Sequence, residues 1–211
     1  MNAPLQDLIV RQHQRMRELR DDAADLANSV ADEVWDKFEV EVDDATGDSY
    51  MFDLTSCTQM ALSSMLALSY DEVFERHVLG LFERLQKELR EAGASEANFD
   101  SARIDLTGLR KSLKLRRHAD DLIGKAIERA KPGLIGMLFL ARDPCADAWD
   151  RELCDNARRV RSNLLELRGK ICEAIREETT TVIHTARLAY IDMLDVLRGQ
   201  VAVTREKLDT V

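Results

Sequence analysis

PCADAWDRELCDNARRVRSNLLELRGKICEAIREETTTVIHTARLAYIDMLDVLRGQVAVTREKL, residues 144–208, has no proline after its first position and only two glycines, Gly169 and Gly199. Leu153, Val160, Leu167 and Ala174 recur at heptad spacing, and Ala157, Leu164 and Ile171 follow the first three by four residues. That spacing belongs to a helix that packs along its length. Beyond Ile171 the seam resumes through Ile175, Val182, Ala186, Ala189, Met193 and Val196, a shift equivalent to four inserted residues. Such a stutter unwinds a supercoil locally or marks a bend. The run Thr179-Thr180-Thr181 stands beside it, and β-branched residues are mediocre helix formers. An unbroken helix here would approach about 100 Å in length; the alternative is a fold-back near Thr180.

A second long amphipathic helix is expected from about Leu5 to Val34. Leu5, Ile9, Met16, Leu19, Ala23, Leu26 and Val30 form its seam, interrupted by Gln12. The period then changes. Phe38-Glu39-Val40-Glu41-Val42-Asp43 alternates apolar and acidic, Asp44–Asp48 carries turn chemistry, and Tyr50, Phe52 and Leu54 alternate beyond it. This pattern predicts a β-hairpin with strands near 37–43 and 49–54.

From Thr55 to Leu68 the chain is apolar on more than one side, which predicts a short helix buried in the centre of the fold. Ser69 followed by Glu72 reads as a capping box that opens a new helix, with Phe74, Val78, Leu81, Leu85 and Leu89 inward and Gly93 at its end. A polar connection, Ala94 to Ser101, is the expected boundary between an N-terminal half, 1–93, and a C-terminal half, 94–211. A further helix is expected from Ala102 to Ala130, stopped by Lys131-Pro132-Gly133. The most hydrophobic window, Leu134–Ala141, comes next. Asp143 and Pro144 can then cap and open the final helix.

The composition fits this reading: 5% aromatic, 33% charged and three prolines belong to helical bundles and coiled coils. The fold class is therefore mainly α, an elongated helical bundle or coiled coil with one inserted β-hairpin. The net charge of -9 argues against a general nucleic-acid coat. Four cysteines without CxxC spacing, no signal-peptide pattern and no apolar run of roughly twenty residues predict a reduced cytoplasmic protein.

Two charged regions stand out. Between Arg103 and Lys131 nine Lys/Arg face four Asp/Glu, and Arg103, Arg110 and Arg117 recur every seven residues beside Lys111 and Lys114. A helix would carry them as a basic stripe, either a phosphate or nucleic-acid site with strong salt dependence or a solvated face paired with acids elsewhere. Its complement is Asp32–Asp53, with nine carboxylates and one lysine. Within it Glu39, Glu41, Asp43 and Asp44 are candidate contacts for a basic partner or a second copy; on a hairpin they would also keep the edge soluble. The EF-hand pattern is absent, so no metal site is expected.

No Walker loop, GxGxxG, GxSxG, HExxH or Glu-x-x-His pair occurs, and neither catalytic residues nor a cofactor are expected. The sequence thus predicts a non-enzymatic intracellular interaction or scaffold protein that associates with itself or another protein. The first alternative is a nucleic-acid or phosphate-binding module on residues 103–131. The second is a membrane-active helical protein with an apolar tip at 134–141.

Overall fold

The structure is a computed structural model and describes residues 3–45, 56–94, 114–131 and 146–209. These residues are almost entirely helical. Helix α1 is Ala3–Ala45, α2 is Ser56–Phe74, α3 is Gly80–Glu91, α4 is Lys114–Ala130 and α5 is Ala146–Asp209. A π-helical turn, Glu75–Leu79, joins α2 directly to α3. The expected hairpin is not found. Its first strand, 37–43, is the last part of α1, and its second lies outside the described residues.

The reason lies in one valine. Val34, Trp35, Phe38, Val42 and Ala45 are buried at helical spacing, whereas Val40 is 59% exposed. Alternation at 38, 40 and 42 is therefore two core residues with a surface residue between them. A helical hydrogen bond also crosses the region, from Trp35 Nε1 to Glu39 Oε2 at 3.0 Å. Residues four apart are neighbours on a helix, whereas along a strand they stand about 13 Å apart.

The chain forms two compact units. The first comprises Met1–Ala27, Phe74–Ser112 and Glu178–Val211; the second comprises Asn28–Val73 and Leu113–Glu177. In the second unit, α1 and α5 run antiparallel, as the pairs Cys172–Ala31, Arg168–Asp36 and Arg161–Asp43 require. The α4 and α5 helices are antiparallel too, with Arg159 donating to the Ala130 carbonyl and Asn163 to that of Ala126. Lys37 pairs with Glu72 between α1 and α2, and Gln59 on α2 donates to the Asp120 carbonyl on α4 at 3.1 Å. Four helices thus enclose one core of Trp35, Phe38, Leu66, Tyr70, Ile123 and Val160 among others. Gly124 sits at the α2–α4 crossing, where an added Cβ would lie 3.1 Å from the Gln59 amide.

The first unit packs α3 and the π turn against the N-terminal part of α1 and the C-terminal part of α5. Ile9, Met16, Val78, Phe82, Leu89 and Leu194 are buried there, and the Phe82 and Tyr190 rings lie 5.7 Å apart. Phe82 takes the inward position expected of Leu81, which is only half-buried.

The π turn explains that substitution. Leu62, Leu66, Tyr70, Phe74, Val78 and Phe82 are all buried and spaced by four. Each step of four overshoots an α-helical turn by about 40°, so the face would drift round the helix. One wide turn, with one residue more than an α-turn, rotates it back. Ser69 is consequently no cap. It is fully buried within α2, and its hydroxyl donates to the Met65 carbonyl one turn back at 3.0 Å. The end at Gly93 is as expected: φ is 94°, Ala94 N–H donates to the Leu89 carbonyl and Gly93 N–H to that of Arg90. That pair of bonds is a Schellman ending, which needs a residue tolerant of positive φ.

The final helix is continuous through Thr179–Thr181. Ile171, Ile175, Thr179, Val182 and Ala186 are buried in succession, so the stutter is a change of contact face within a single helix. Ala174 and Ala189 are half-buried and Val196 is 46% exposed, with Tyr190 and Leu197 inward in their place.

Candidate functional site

Of the residues singled out for their charge, the described ones fall on two helices. Lys114 and Arg117 fall in the first turn of α4, while Arg103, Arg110 and Lys111 lie outside the described residues, as does the window 134–141. Glu39, Glu41, Asp43 and Asp44 stand on the last turns of α1 and not on a strand edge. Glu39 accepts the Trp35 indole, and Asp43 accepts from Arg161 Nη2 at 2.7 Å with Nε also in contact. Glu41 is half-buried and Asp44 exposed. Beside the Asp43–Arg161 pair is an open depression of about 380 Å³ lined also by Cys154, Ala157 and Arg158. Arg158 is already engaged by Asp155 at 3.2 Å. Asp43 and Arg158 are thus each paired within the chain.

The titratable side chains serve packing in the same way. In the first unit Gln12, fully buried on the α1 seam, donates to the Leu85 carbonyl at 2.9 Å and to Glu88 at 3.2 Å. It accepts from the Tyr190 hydroxyl at 2.7 Å, and Arg15 holds Glu88 through both carboxylate oxygens. Burial pushes the Tyr190 hydroxyl far up, and the nearby Glu88 charge adds to it against Arg15 and Arg90. Burial works to raise Glu88 as well, but the hydrogen bonds of Arg15 and Gln12 and the charges of Arg15 and Arg11 outweigh it and hold the carboxyl low. In the second unit burial raises the Cys172 thiol against the hydrogen bond and charge of Arg168, so it is a poor nucleophile. Among the described residues no group of His, Cys, Asp and Glu is arranged to hold a metal, and no helix is long and apolar enough to cross a membrane.

Two of the large exposed apolar side chains share one helix face. The outer face of α2 presents Cys57, Met60, Ser64 and Leu68 at three- and four-residue spacing, with Met60 67% and Leu68 65% exposed. Beside it Ser63, Ser64 and Ala67 floor a groove of about 390 Å³, with Met60 and Leu68 along it and Asp120 on the α4 side. The Ser63 hydroxyl is buried without a partner. The expectation that 55–68 is a helix at the centre of the fold is thus corrected: it is a wall of the second unit. Its apolar character on all sides exceeds what its neighbours in that unit cover. In the sequence the same residues form a helix with apolar residues on more than one side, a pattern that full burial and an uncovered face produce alike.

Comparison of the chain with protein-family models, with curated proteins and with solved structures found no match. The functional reading therefore rests on the chain's own chemistry.

Proposed function

We propose that this is a non-enzymatic helical interaction protein that acts through protein–protein contacts and associates with itself. The observation that carries the reading is the uncovered face of α2. Met60 and Leu68 stand about two-thirds exposed on one face of α2 along a groove, and large apolar side chains exposed in this way on a folded protein mark an interaction site. The heptad-spaced parts of α1 and α5 are the coiled-coil component of this reading. Cys57 and Cys154 on the surface and Cys172 in the core, none of them in a disulfide, support a reducing, intracellular setting.

Absolute mass by light scattering across a concentration series tests the proposal. The expected result is a mass that climbs from 24.0 kDa toward twice that value as concentration rises. A mass fixed at 24.0 kDa throughout contradicts self-association.

A further inference from the structure

The continuous run of helix from α2 through α3 is thinly held at one place. Ser69, Tyr70, Val73 and Phe74 are buried just before the π turn, and Phe82, Leu85 and Leu89 are buried beyond it. Between them, over residues 75–81, Val78 alone is buried. Parting the helix there would expose one core side chain. The far flank is anchored: Phe82 lies beside Tyr190, and Gln12 and Arg15 of α1 hold the Leu85 carbonyl and the Glu88 carboxylate. Segments with few buried apolar contacts are where native proteins open locally.

Two further features weaken the helix over the same residues. The first is the π turn itself, in which the Gly80 N–H reaches back to the Glu75 carbonyl. The second is the glycine. Its φ of -60° and ψ of -24° are right-handed helical values, and an added Cβ would stand 3.6 Å from the Glu75 carbonyl oxygen, an ordinary contact. Neither the backbone nor the space calls for glycine at position 80, and glycine inside a helix weakens it relative to alanine. Gly169 and Gly199 are unhindered within α5 as well, but no wide turn accompanies them. A π turn inside a helix frequently marks a functional site. Here it coincides with a glycine that packing does not need and with sparse burial.

We propose that residues 75–81 are a built-in opening point, at which the helix parts reversibly while Phe74 on one side and Leu85 and Leu89 on the other stay packed. The π turn amounts to one surplus residue. Taking one residue out of it would restore an α-turn and keep Phe82, Leu85 and Leu89 on the face they occupy now. The core therefore does not require the surplus, whose effect falls on the ease of opening. The opening is independent of self-association.

Native-state hydrogen exchange on the full chain tests it. After correction for intrinsic rates, the amides of residues 78–81 should exchange roughly tenfold faster than those of 85–89, or more. Gly80→Ala should slow them about fivefold and leave 85–89 unchanged. Gly169→Ala, the same change within α5, should leave residues 78–81 as they are. Deletion of Arg76 should slow the same amides and should melt no lower than Arg76→Ala, which removes the side chain and keeps the residue. Equal exchange of 78–81 and 85–89 in the wild type overturns the proposal. So does a deletion that unfolds the chain or melts well below Arg76→Ala, since packing would then require the surplus residue. Uniform slowing of every amide from α2 to α3 by Gly80→Ala overturns it too, because exchange would then pass through unfolding of the whole.

Discussion

Gln12 occupies a seam position that heptad spacing reserves for an apolar side chain, and its amide is fully used. One end takes the Tyr190 hydroxyl; the other serves Leu85 and Glu88. Removing one partner of a buried hydrogen bond costs more than removing both, because the orphaned group keeps its desolvation penalty. Tyr190→Phe should therefore lower unfolding stability by about 1–3 kcal/mol. Adding Gln12→Leu to it should recover part of that loss, and urea titration of the four chains in the cycle measures the coupling. Glu88 gives a pH dependence of known sign. Its carboxyl is held below the ordinary 4.5 in the folded chain, so its contribution is present above that value and disappears as pH falls through the folded value. The stability gap between wild type and Glu88→Gln should accordingly be largest near neutrality and close on acidification. Tyr190 acts at the other limit. Raised above 10.0, it contributes fully below that pH and weakens the fold as alkali ionises the unfolded chain. Tyr190→Phe should flatten the alkaline branch of the stability profile.

At the scale of elements, the helical periods of α1 and α5, the end of α3 at Gly93 and the end of α4 at Ala130 were legible because each carries a local cause: a seam, a positive-φ glycine, a proline just beyond. The errors came where one pattern has two physical origins. Strict alternation over 38–42 arises from a strand with one buried face, and equally from a helix on which two core positions flank a solvent-facing valine. A serine three residues before an acid arises at a helix start, and equally inside a helix where the hydroxyl satisfies itself on the turn behind, as Ser69 does. The π turn had no composition signal at all; only the run of four-residue spacings from Leu62 to Phe82 implied it. Paired substitutions separate helix from hairpin at the end of α1. On a hairpin Val40 and Val42 share a face and would cost alike when truncated. On α1 Val42 is buried and Val40 is not, so Val42→Ala should cost about 1–2 kcal/mol and Val40→Ala close to nothing.

For the whole molecule, charge is legible in the sequence and exposure is not. Charge runs attract notice in a sequence, which does not show that one member of the acidic run, Asp43, is paired with Arg161. The uncovered face of α2 attracts none, because a sequence lists apolar residues without saying which of them run out of neighbours. The two functional readings also differ in sign toward salt. Each copy carries a net charge of -9, so association through an apolar face brings like charges together and should tighten as ionic strength rises. Phosphate binding on Arg103, Arg110, Lys111, Lys114 and Arg117 would loosen as salt rises, through counterion competition.

The most direct test is sedimentation equilibrium on three chains: wild type, Leu68→Glu, and Val10→Glu, which places the same charge on an exposed valine of the first unit. The account predicts a reversible dimer for wild type and for Val10→Glu, with Leu68→Glu alone remaining near 24.0 kDa over the same concentrations. Equal dimerisation of all three chains, or equal weakening by both glutamates, would contradict it.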